Sequence, residues 1–82
     1  MKLKIISPEN EQEFEVAWLD IETSAGNFVV LEGHVPMIVT IDPNKQFSFC
    51  LKNGKQEIVA CDGGIVEINR DLVKILLSSE PR

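Results

Sequence analysis

The side chains able to do chemistry are few and lie far apart. His34 is the only histidine, the cysteines are Cys50 and Cys61, and there is no tyrosine. Zinc ligands come in closely spaced pairs, so these three isolated residues would have to be gathered by folding alone, and no metal site is expected. No serine occupies a Gly-x-Ser-x-Gly elbow, and a thiol nucleophile at Cys61 would have no base beside it in the chain. Gly26, Gly33 and Gly54 are not spaced as a phosphate-binding loop. Gly63-Gly64 opens a strand rather than a helix, so no helix start waits for an anion. The alternate acids Glu9, Glu11, Glu13 and Glu15 read as a solvated turn and strand edge, where charge discourages unwanted pairing. No catalytic residue and no cofactor are expected.

The elements that carry these residues belong to one small domain. Eighty-two residues bury limited apolar surface, and a 44% hydrophobic share with 26% charged residues suits a folded domain. A formal charge of −5 with scattered Lys and Arg repels phosphate backbones, which argues against a nucleic-acid partner. No run approaches the roughly 20 apolar residues that span a bilayer, so direct membrane insertion is not expected.

Short β-branched runs broken by Gly, Pro, Asn and Asp recur about every eight to twelve residues, which predicts an all-β, two-sheet sandwich or flattened barrel of roughly 8–10 short strands. Strands are expected at Leu3–Ser7, Glu13–Ile21, Asn27–Leu31, Met37–Asp42, Gln46–Lys52, Gln56–Asp62, Ile65–Asn69 and Val73–Ser78. Asn53-Gly54 suits a two-residue type I′ turn, which would set Leu51 opposite Gln56, Cys50 opposite Glu57, Phe49 opposite Ile58 and Phe47 opposite Ala60. Phe47, Phe49, Ile58 and Ala60 would then line the core, with Cys50 and Cys61 reduced on the other face. Single charges at Glu67 and Lys74 mark the wet sides of two late strands. Trp18 shares parity with Phe14 and Val16, and reads equally as core or as an aromatic contact.

The segment Gly26-Asn27-Phe28-Val29-Val30-Leu31-Glu32-Gly33-His34-Val35-Pro36-Met37-Ile38 resembles the signature of the epsilon subunit of F-type ATP synthases, roughly Gly-Glu-Phe-Gly-Ile-Leu-Pro-Gly-His-Ala-Pro-Leu-Leu. Ala60 to Ile68, Leu72 to Leu76 and the opening Lys2 to Glu9 resemble further strands of that family in the same order. The mitochondrial counterpart is called delta. The resemblance implies a non-catalytic rotor subunit whose β-sandwich links the gamma subunit to the c-ring and couples proton or sodium flow to ATP synthesis. It would sit peripherally on the cytoplasmic face of a bacterial inner membrane. Ser7, His34, Val35, Pro36 and Met37 match positions facing gamma, and Ser24, Ala25, Gly26 and Asn27 match the loop facing the c-ring.

Asn27, Val29 and Glu32 stand where the family usually has Glu, Gly and Pro. The resemblance places the sandwich at residues 1–78 and a polar, frayed tail at 79–82. The helical hairpin that regulates ATP hydrolysis in the family, and binds ATP in some bacteria, is not expected here. A free-standing β-sandwich module for a peptide or carbohydrate is the alternative, with Trp18 as its support.

Overall fold

The computed structural model describes residues 1–81. Eight strands form: β1 (Lys2–Ile6), β2 (Glu11–Thr23), β3 (Gly26–Val30), β4 (Met37–Ile41), β5 (Gln46–Leu51), β6 (Gln56–Ala60), β7 (Gly64–Ile68) and β8 (Leu72–Leu77). The all-β expectation holds, and each predicted strand has its counterpart with ends displaced by up to two residues. Alternating apolar residues and turn formers are local signals, which is why they sufficed.

Sheet A runs β4-β7-β8-β1 and ends on the first half of β2; sheet B joins β3, the second half of β2, β5 and β6. All pairings are antiparallel except β1 with β8. The thirteen-residue β2 therefore serves both sheets. Between the sheets lies one core that includes Leu3, Val16, Leu19, Ile21, Phe47, Phe49, Val66, Ile68, Val73 and Ile75. Glu67 lies opposite Lys74, each half-exposed between buried neighbours, as their strand parity predicts.

The register of the β5–β6 hairpin differs from expectation by one residue. Phe49 faces Glu57, Ser48 faces Ile58 and Phe47 faces Val59. The Gly54 amide donates to the Leu51 carbonyl at 2.9 Å, and the Leu51 amide donates to the Lys55 carbonyl at 2.8 Å. Gly54 alone takes the left-handed conformation, at φ 94°, while Asn53 does not. This is a type I turn closed by a glycine bulge, a three-residue loop rather than the two-residue type I′ turn. A one-residue slip turns a whole strand over. Phe47 and Phe49 are core residues as predicted, but Ile58 is 68% exposed and Ala60 is exposed. The same slip brings Cys61 into the core, 1% exposed, instead of onto the outer face.

A second irregularity reassigns Trp18. Val16 lies opposite Leu51 and Trp18 opposite Cys50, so Ala17 is an extra residue in β2. Beyond this bulge the core parity passes to Leu19 and Ile21. Trp18 no longer shares the face of Val16. It sits half-buried on the outer side of sheet B, across from Cys50, which is buried outside the main cluster.

Candidate functional site

The segment 31–36 between β3 and β4 folds as a compact loop. The Gly33 amide donates to the Arg70 carbonyl at 3.3 Å, tying the loop to the β7–β8 turn, and the His34 amide donates to the Leu31 carbonyl at 3.2 Å. Gly33 sits at φ 80°, a conformation open to glycine at no steric cost. His34 is held on two sides: its Nδ1 lies 2.8 Å from the Val35 carbonyl, and its ring meets the edge of Phe28 with centroids 5.4 Å apart. A carbonyl can only accept, so Nδ1 is the donor in this contact and Nε2 is left free of it.

Next to this loop the surface is apolar. Val35 is 62% and Ile38 69% exposed, Leu31 is 57% exposed, and Pro36 is also exposed. The outer face of sheet A carries a second apolar row, beyond the register row in which Ile38 lies level with Glu67, Lys74 and Lys4. Thr40, Ile65, Leu76 and Ile6 lie opposite one another in a row across four strands, with Ile65 50% and Leu76 41% exposed. Ile38, Ile65 and Leu76 were missed as surface residues in the sequence, although parity against the buried Ile41, Val66 and Ile75 points each of them outward.

The β2–β3 hairpin tip carries Ser24, Ala25, Gly26 and Asn27, all exposed. Its shape comes from Thr23, whose hydroxyl donates to the Gly26 carbonyl at 2.7 Å and accepts from the Ala25 amide at 3.2 Å. The Asn27 carboxamide donates to Asp20 at 3.3 Å. This tip and the start of β4 flank one open cleft of about 410 Å³ lined by residues 23–28 and 37–40. The tip expected to face the c-ring thus lies beside Met37, one of the residues expected to face gamma, and Phe28, which lines the same cleft, is in ring contact with His34.

Ser7 stands apart. Successive registers align Met37 with Ile68, Val73 and Leu3, whereas Ile41, Gly64 and Leu77 mark the opposite end of sheet A, where Ser7 follows Ile6. There the Ser7 hydroxyl donates to the Glu80 carboxylate at 2.9 Å, the Glu9 amide donates to it at 2.6 Å, and the Asn10 carboxamide at 3.2 Å. The Glu9 amide first, and the Ser7 and Asn10 side chains after it, hold the Glu80 carboxyl below the usual carboxylate range against a smaller opposing effect of desolvation. Ser78 adds bonds to the Gly63 carbonyl through its amide and its hydroxyl. Within the tail expected to be frayed, Glu80 is thus tied to the β1–β2 turn, because turn donors meet a carboxylate whose sequence position gave no sign of them; Arg82 lies outside the described residues.

His34, Cys50 and Cys61 occupy the β3–β4 loop, the end of β5 and the residue after β6, and are not brought together. Both thiols are free and buried. Among the described residues no group of three His, Cys, Asp or Glu side chains is placed to hold a metal. What the geometry offers is interface: fixed loops, apolar side chains and a few hydrogen-bonding groups at the rim.

The family model described as "ATP synthase, Delta/Epsilon chain, beta-sandwich domain" matches residues 1–80. The ATP synthase epsilon chain of Bacillus licheniformis is 33% identical over 78 residues, covering 93% of this chain and 57% of that protein. That of Bacillus thuringiensis is 34% identical over 79 residues, covering 94% and 57%. The chain therefore spans little more than half the length of these relatives. Among solved structures, a chain of the Euglena gracilis mitochondrial ATP synthase OSCP/F1/c-ring assembly aligns with TM-score 0.82 at 22% identity, over 96% of this chain and 51% of that one. A chain of the Tetrahymena thermophila mitochondrial ATP synthase central stalk and c-ring aligns with TM-score 0.80 at 16% identity, over 96% and 63%.

Proposed function

Since this chain belongs to the family of ATP synthase delta/epsilon β-sandwich domains, we propose that it works as a non-catalytic rotor part joining gamma to the c-ring in a proton- or sodium-translocating F-type ATP synthase. The observation that carries this reading is the apolar strip of Val35, Pro36 and Ile38 on and after the loop held at Gly33 and His34, with Ile65 and Leu76 exposed further along the same sheet. Exposed apolar side chains in one patch mark a surface that another protein covers. His34 to Met37, with Ser7 at the far end of the sheet, face gamma in this reading. Ser24 to Asn27 at the hairpin tip meet the c-ring. Torque passes between the two because both rest on the same packed core. Among the described residues no helix is long and apolar enough to cross a membrane. Attachment to the cytoplasmic side of a bacterial inner membrane follows, in this reading, from the c-ring contact.

The test is titration of variants into purified gamma and then into a gamma and c-ring assembly. His34→Glu places charge beside the apolar strip and is expected to weaken gamma binding by about 2 kcal/mol or more while costing the fold less than about 0.5 kcal/mol in a thermal melt. Asn27→Ala is expected to leave the affinity for gamma alone unchanged and to act only once the c-ring is present. Equal losses with gamma alone, or no loss for the His34 variant, overturn the assignment.

A further inference from the structure

The turn joining β1 to β2 is closed by the Ser7 amide donating to the Asn10 carbonyl at 2.9 Å. Closure leaves a hydroxyl, a backbone amide and a carboxamide to converge on a single carboxylate. Ser7 Oγ and Asn10 Nδ2 reach Oε2 of Glu80, and the Glu9 amide reaches Oε1. An ionised carboxylate is acceptor-only with room for about four hydrogen bonds, so three donors and no acceptor make a matching set. The Ser7 hydroxyl also lies 3.3 Å from the Asn10 carbonyl, but its one proton favours the shorter bond to a charged acceptor. All three donors are neutral, so the turn selects this ligand by geometry rather than by charge. Beside it opens a cleft of about 310 Å³ lined by Ile5, Ser7, Asn10, Gln12, Glu80 and Pro81, which leaves room for the body of a ligand behind its carboxylate.

We propose that the Ser7–Asn10 turn is a carboxylate-binding site and that Glu80 is its built-in, exchangeable occupant. Glu80 lies some seventy residues from the turn in sequence and reaches it only because parallel pairing sets the end of β8 beside the end of β1. A depressed carboxyl pKa at Glu80 is the expected companion of this geometry. The site needs no reference to gamma or the c-ring, and it holds whether or not Ser7 also faces a partner.

The test uses the whole chain and its Glu80→Ala variant, with acetate as the probe and sodium chloride at equal ionic strength as the control. In the unaltered chain the Glu9 amide proton should resonate well downfield, the mark of a short bond to a charged acceptor. Glu80→Ala should lose that shift while keeping its thermal melt. Acetate should restore it saturably in Glu80→Ala, with an apparent affinity at least about tenfold above that for the unaltered chain, where the tethered carboxylate competes at high effective concentration. Adding Ser7→Ala to the Glu80→Ala variant should weaken that rescue. An acetate response in Glu80→Ala no larger than that to chloride, or one equal in both chains, overturns the proposal.

Discussion

Phe49 is 2% exposed and Ile58 is 68% exposed, although both are large apolar residues of the same hairpin. Phe49 packs its ring 5.0 Å from that of Phe14 and 6.4 Å from that of Phe47, whereas Ile58 stands on the outer face across from Ser48. Truncating Phe49 to Ala should therefore cost about 3–5 kcal/mol of stability, by lost transfer energy and the cavity left behind. Truncating Ile58 should change it by less than about 0.5 kcal/mol. Urea unfolding of the two variants checks this. Comparable losses would restore the two-residue turn and its register. At this scale the sequence revealed which residues are apolar and, on β5, which of them are inside. On β6 parity depended on a loop one residue longer than the Asn53-Gly54 pair suggests, and both loops satisfy the same letters.

Among the elements, two single-residue irregularities decide the faces: the glycine bulge at Gly54 and the extra residue Ala17 in β2. Gly54 holds φ 94°, and a Cβ there would meet nothing within 4 Å, so a side chain at this position is opposed by backbone conformation alone. Gly54→Ala should lower stability by about 1 kcal/mol while preserving the pairing of β5 with β6, as read from the urea midpoint and from amide contacts between Phe49 and Glu57. A retained midpoint would mean that the turn does not require the left-handed residue. Strand existence was legible because it is written in short-range alternation. The bulge was not, because Ala17 breaks no local rule and shows itself only against the partner strand. The loop holding His34 was legible from its Gly-His-x-Pro spacing, but the ring contact with Phe28 depends on β3 lying where tertiary packing puts it. Glu80 was invisible for the same reason, since its donors come from the other end of the chain.

For the whole molecule the decisive feature is that β2 belongs to both sheets, so neither sheet has a core of its own to retreat to. Unfolding by urea should accordingly be a single transition, with far-ultraviolet circular dichroism and the fluorescence of Trp18, the only tryptophan, giving coincident midpoints. Separate midpoints would show that the sheets melt independently. The shared strand also governs how the domain bears load. A pull along β2, applied at the Ser24–Asn27 tip and resisted through β1, shears the β1–β2 hydrogen bonds side by side, and they must yield together. A pull at the edge strand β6 meets its bonds to β5 one after another, as in a zipper. The molecule is thus stiff along the axis of its longest strand and compliant at its β6 edge.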